Sequence, residues 1–140
     1  MTTINIPLPV GATGDIYRGA LDQVVLGEIE RFAPTWLLYS AGFDAHQRDP
    51  LTDLGLASAD YADIVGDLAG LVAPGRVLAF LEGGYDLEAL TRSTEAFAAA
   101  LLGVDMRPEP ATSGGPGAEA VEAVRVRRSR MQNEGPEAGE

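Results

Sequence analysis

Two short apolar runs, TWLLYSAG at residues 35–42 and RVLAFLEGG at residues 76–84, constrain this chain more than any other feature. Each is too short for a core helix and closes on glycine, so each reads as a buried strand. Between them SADYADIVGDLAGLVA offers Ser58 as a helix N-cap and Asp60 in the first turn. Its Tyr61, Ile64, Leu68 and Leu71 or Val72 fall on one helical face, and Pro74 and Gly75 stop it. A helical pattern also precedes the first run, DIYRGALDQVVLGEIERF, with Ile16, Ala20, Val24 and Ile29 at helical spacing. Another follows the second run, DLEALTRSTEAFAAALLG, and ends on Gly103, a good residue just past a helix. Helix, strand, helix, strand, helix with short connections implies an α/β fold of parallel strands covered by helices.

That architecture says where chemistry would collect. In open parallel sheets ligands gather beyond the carboxyl ends of the strands, and the loops there are SAGFDAHQRDPL and EGGYDLEAL. If the two strands are neighbours, Asp44 and Tyr85 face one cavity. A carboxylate is a good zinc ligand, zinc polarises a carbonyl and activates water, and a tyrosine hydroxyl held opposite can donate to the developing oxyanion. Gly83 and Gly84 would let the backbone turn sharply before Tyr85. Plainer readings stand beside these. An aspartate after a strand is more often a turn former than a ligand, and a single loop histidine such as His46 is more often solvated or a hydrogen-bond donor. Asp49 before Pro50 is ordinary turn chemistry, and Glu82 at a strand end is as well suited to loop amides as to base catalysis.

Charge and composition remove other classes. The formal net charge of −11, from 21 acidic and 10 basic residues, excludes a general binder of nucleic-acid phosphates. With no cysteine, disulfide scaffolds and thiolate chemistry are excluded as well. No apolar run approaches the roughly 18 residues of a membrane span, and MTTINIPLPV lacks the basic and apolar regions of an export signal, so a soluble, cytoplasmic protein is expected. From Val104 onward proline, glycine and small residues take over. The division expected is a folded part over residues 1–103 and a disordered tail over 104–140. Within that tail AEAVEAVRVRRSR has helical spacing but few apolar residues, and four arginines crowd its end.

The spaced combination SAGFDAHQRDPLTDLGL and LEGGYDLEAL, with NIPLPVGATGD and Tyr17 ahead of it, resembles the C-terminal part of the zinc-dependent histone deacetylase family, the class that includes acetylpolyamine amidohydrolases and acetoin-utilisation proteins. The resemblance implies an arginase-like parallel sheet with flanking helices. It implies Asp44 as a zinc ligand, Tyr85 as the residue that polarises the acetyl carbonyl, and Gly83 and Gly84 as lining of the acyl-lysine tunnel. His46 matches no zinc ligand of the family, and Asp49 falls in an element that supports the loop. Family members also carry upstream a pair of adjacent histidines and an Asp-x-His motif, whereas these 140 residues contain one histidine. The expectation is therefore part of a deacetylase acting on acetyl-lysine or acetylpolyamine, inactive alone, binding zinc only with ligands from an upstream fragment or second subunit. The alternative is a non-catalytic remnant or interaction module. A nucleotide-binding Rossmann domain is disfavoured, because no G-x-G-x-x-G opens a helix after a strand. Cutting a many-stranded parallel sheet exposes an apolar edge, so the chain alone is expected to self-associate.

Overall fold

The computed structural model describes residues 3–133. Its elements run α1 (Gly14–Ala20), a π-helical turn (Leu21–Val25), α2 (Leu26–Phe32), β1 (Leu37–Gly42), α3 (Ser58–Ala69), β2 (Val77–Gly83), α4 (Leu87–Leu101) and α5 (Ala118–Asn133). The strands pair in parallel across α3, as the alternating pattern requires. The first helical segment is continuous from Gly14 to Phe32 but passes through one π turn, and it ends where Ala33 adopts a left-handed φ of 51° just before Pro34.

One face of the sheet makes the core. Leu37, Tyr39 and Ala41 of β1 pack with Tyr61, Ile64, Val65 and Leu68 of α3 and Phe97 of α4. Phe43 sits at the centre of an aromatic set, its ring edge-on to Tyr61 at 5.0 Å and to Phe97 at 5.8 Å. The other face carries Leu38 opposite Leu78 and Ser40 opposite Phe80, and it is open: Leu38 is 65% exposed and Phe80 52%. Both strands were expected to be buried. The expectation fails for β2 in particular, where even Leu81, on the helix side, is 65% exposed. The physical reason is that the core cluster takes in β1 and no β2 residue, so the apolar side chains of β2 face water.

Ser58 does not cap α3. Ala57 occupies the N-cap position with an extended backbone, and Ser58 is the first helical residue. The buried Asp60 reaches back instead, accepting the Ala57 amide at 2.8 Å. At α4 the expected end holds, with Gly103 beyond the last turn at a φ of 71°, and the Asp86 carboxylate caps the start by accepting the Ala89 amide at 2.8 Å.

The disorder expected from residue 104 onward is not what residues 104–133 show; residues 134–140 lie outside the described residues. Residues 104–117 cross the N-terminal end of α3 as a strap. Thr112 donates its amide and hydroxyl to Asp60, Glu109 exchanges hydrogen bonds with Ser58, and Gly115 donates its amide to the Thr13 hydroxyl at 2.9 Å. After the strap α5 docks Val121, 3% exposed, against Ala20 and Val24. Composition argued for disorder because apolar anchors are few here. Polar groups buried against distant backbone anchor the segment in their place.

Candidate active site

The carboxyl ends of β1 and β2 are joined more closely than a plain ladder would join them. The register runs Ala41 opposite Leu81 and then Gly42 opposite Gly83, so Glu82 is an extra residue bulged out of β2. The bulge brings the Gly83 carbonyl to the Phe43 amide at 2.9 Å, immediately before Asp44. A Cβ built on Gly83 would lie 3.0 Å from Asp44 Oδ1, and one on Gly42 2.6 Å from it. The Asp44 carboxylate therefore lies across two glycine backbones at the junction of the loops. Gly84 has a φ of 124° and is wedged between Phe43 and Leu90, which leaves no room for a side chain.

Asp49 links the two loops directly. It is 7% exposed, with Oδ2 accepting the Tyr85 amide at 2.7 Å and Oδ1 the Leu51 amide at 2.9 Å. Tyr85 is thus fixed at its backbone while its ring is 56% exposed and free to reach outward from the carboxyl ends of the strands. The floor beneath Asp44 is aromatic: the Tyr61 hydroxyl donates to the Phe43 carbonyl at 3.1 Å, and the Thr52 hydroxyl donates to the Asp44 carbonyl. Burial, helped by the nearby Asp44 charge, raises the Tyr17 phenol. The same two causes, burial first, raise Tyr61, with Tyr17 and other carboxylates adding to them. Both hydroxyls stay protonated around this carboxylate.

His46 is fully buried and turned away from that junction. Its Nδ1 accepts the Arg48 amide at 3.2 Å, and its Nε2 lies 2.9 Å from Glu109 Oε2 on the strap. Glu82 is bulged out of β2 and exposed. Among the described residues no three His, Asp or Glu side chains converge as a metal-binding group. A carboxylate such as that of Asp44 is of the donor chemistry that zinc accepts. Sequence reasoning missed Glu109 altogether and saw Asp49 as turn chemistry in an element that supports its own loop, not as a link to the other. The Asp-Pro pair marked the turn, but nothing local announces a carboxylate whose partner amide lies 36 residues away.

Paired loops at the carboxyl ends of two parallel strands, an aspartate laid on glycines and a glycine-glycine-tyrosine turn define a portion of an α/β domain with its loops gathered at the strand ends. The model of the histone deacetylase domain matches residues 1–101. The chain belongs to the histone deacetylase family. It is 44% identical over 108 residues to the chloroplastic histone deacetylase 14 of Arabidopsis thaliana, covering 74% of this chain and 25% of that protein. It is 35% identical over 108 residues to a probable deacetylase of Archaeoglobus fulgidus, covering 74% of this chain and 30% of that one. The solved structure of the histone deacetylase Clr3 superposes with a TM-score of 0.80 and 31% identity, over 96% of this chain and 22% of that one. This chain thus spans between a quarter and a third of the length of these curated relatives. The 96% share also exceeds what residues 1–103 could supply, so the likeness to a solved deacetylase extends into the strap and α5. Among the described residues no helix is long and apolar enough to cross a membrane.

Proposed function

We propose that this chain is the distal portion of a zinc-dependent deacetylase domain that removes acetyl from an amine, as in acetyl-lysine or an acetylpolyamine, and that it acts only when the upstream portion of that domain joins it. The observation that carries this reading is the locked junction of the two loops, with Asp44 across Gly42 and Gly83 and the Tyr85 amide on Asp49. Asp44 would be one carboxylate ligand of the metal. Bound zinc polarises the acetyl carbonyl and makes its water nucleophilic near neutral pH. The Tyr85 hydroxyl, on a tethered backbone, would donate to the carbonyl oxygen as negative charge builds on it. Gly83 and Gly84 keep the wall between ligand and tyrosine thin enough for an acyl chain to pass. The chain's one histidine is buried against Glu109, so proton transfer falls to groups outside this chain.

The open sheet supports the same reading. Leu38, Leu78 and Phe80 form an apolar face suited to the rest of a parallel sheet with its covering helices, and a cytoplasmic setting suits a chain without disulfides. The second reading, a non-catalytic interaction module, rests on that same face, because docking there needs neither Asp44 nor Tyr85. Zinc calorimetry and hydrolysis of an acetyl-lysine peptide, both on the chain assembled with the upstream portion of a deacetylase, separate the two. Under the first reading the assembly binds zinc, Asp44→Ala abolishes binding, and Tyr85→Phe keeps zinc but lowers kcat roughly 10²-fold or more. An assembly that forms without binding zinc would establish the interaction module.

A further inference from the structure

We infer that Glu109, on the strap beyond the residues the family model matches, is a positioning residue that sets the loop carrying Asp44 and, through Asp49, the loop carrying Tyr85. The inference rests on the deacetylase reading for its functional meaning, though the mechanical link stands by itself.

The link can be followed bond by bond. Because His46 Nδ1 accepts the Arg48 amide, the imidazole proton sits on Nε2 and is donated to Glu109 Oε2 at 2.9 Å. The same oxygen accepts the Ser58 amide at the start of α3, at 3.1 Å, and Oε1 accepts Arg92 of α4 at 3.2 Å. One carboxylate thus ties His46 to two helices of the core. His46 in turn closes both sides of its own loop: its amide donates to the Phe43 carbonyl at 3.2 Å, and its carbonyl accepts the Asp49 amide at 2.8 Å. Asp44 lies inside the first of these turns. Asp49 follows the second and holds the Tyr85 amide. Removing Glu109 leaves a buried imidazole N–H without an acceptor, and the loop must move to hydrate it. The strap's other anchor is independent of this path. Thr112 binds Asp60 and the Gly14 amide at the opposite side of the α3 N-terminus and touches neither loop.

That difference supplies the test. Hydrogen–deuterium exchange on the full chain compares Glu109→Ala with Thr112→Val, a control that loosens the strap without touching His46. The expected result is loss of protection in residues 43–51 and 83–87 for Glu109→Ala, and loss confined to residues 11–15 and 57–60 for Thr112→Val. Glu109→Gln, which keeps one acceptor oxygen, should restore part of the protection and carries the comparison if the alanine variant does not fold. In the chain assembled with the upstream portion, Glu109→Ala should weaken zinc roughly ten-fold while Thr112→Val changes it little. Equal effects of the two variants on both loops and on zinc would overturn the inference, leaving Glu109 a clamp for the strap alone. If the wild-type assembly binds no zinc, the deacetylase reading fails, and the exchange pattern still decides whether Glu109 sets the loops.

Discussion

Helix α3 and strand β2 are both strongly apolar, yet they meet opposite environments. In α3 Val65 is fully buried and Tyr61, Ile64 and Leu68 are at most 9% exposed, whereas in β2 Leu78, Phe80 and Leu81 are each 47% exposed or more. Apolar sequence therefore does not by itself say whether a segment is covered, and β2 is as apolar as α3 yet faces water. A period-3.6 stripe such as that of α3 finds its partner within the chain. A fully apolar strand of a parallel sheet needs cover on both faces and a neighbour on each edge.

The largest effect should come from placing a charge on the buried side of this comparison. Val65→Asp puts an unpaired carboxylate where no solvent reaches, and a loss above about 4 kcal/mol is expected in urea denaturation, enough to unfold a marginal domain. The same kind of change on the open face should act oppositely. Leu78→Glu with Phe80→Glu should leave the unfolding midpoint within about 0.5 kcal/mol of the parent. It should abolish self-association, seen as a shift to monomer in analytical ultracentrifugation, and should also block assembly with the upstream portion. A clear stability loss from the face variants would mean that the sheet is covered after all.

A smaller effect concerns acid. Burial pushes the Glu109 carboxyl up, but the hydrogen bonds from His46 and Ser58 outweigh it and hold it at about 2 against an ordinary 4.5. Because the folded value is the lower one, its contribution is complete above about pH 5 and is lost as the pH falls toward 2. By linkage that difference contributes on the order of 3 kcal/mol. Thermal melts from pH 6 to pH 2 should therefore fall more steeply for the parent than for Glu109→Gln. The smallest effect belongs to the exposed Arg125–Glu122 pair on α5, whose removal by Arg125→Ala should leave the melting temperature unchanged within error.

Much of this molecule could be read from its residues, and the failures share a cause. Helices α3 and α4 were legible because each buries a stripe and carries its own stop signal, and the two site loops because glycine, aspartate and proline mark turns whatever they later bind. The strap was not legible. Apart from Arg92, the side-chain partners of Glu109 and Thr112 lie 51 to 98 residues away, and a polar residue that will be buried by a distant backbone looks locally like one that will be solvated. Ser58 misled for the same reason: its hydroxyl, a natural cap, is engaged with the Glu109 amide from the strap. The exposure of β2 was hidden because burial is a property of the finished sheet.

The strap also imposes an order in time. The contacts that seat Thr13 and Asp15 come from Gly114 and Gly115, about a hundred residues later. As the chain leaves the ribosome, the β1–α3–β2–α4 unit can pack from neighbouring pieces, but these two closures over the first turn of α1 have to wait. Such late, long-range closures are the slow steps of folding. Until residue 115 has been made, Thr13 and Asp15 lack these two amides, and the neighbouring Gly11–Asp53 and Ala12–Gly55 hydrogen bonds are what hold this stretch to the core.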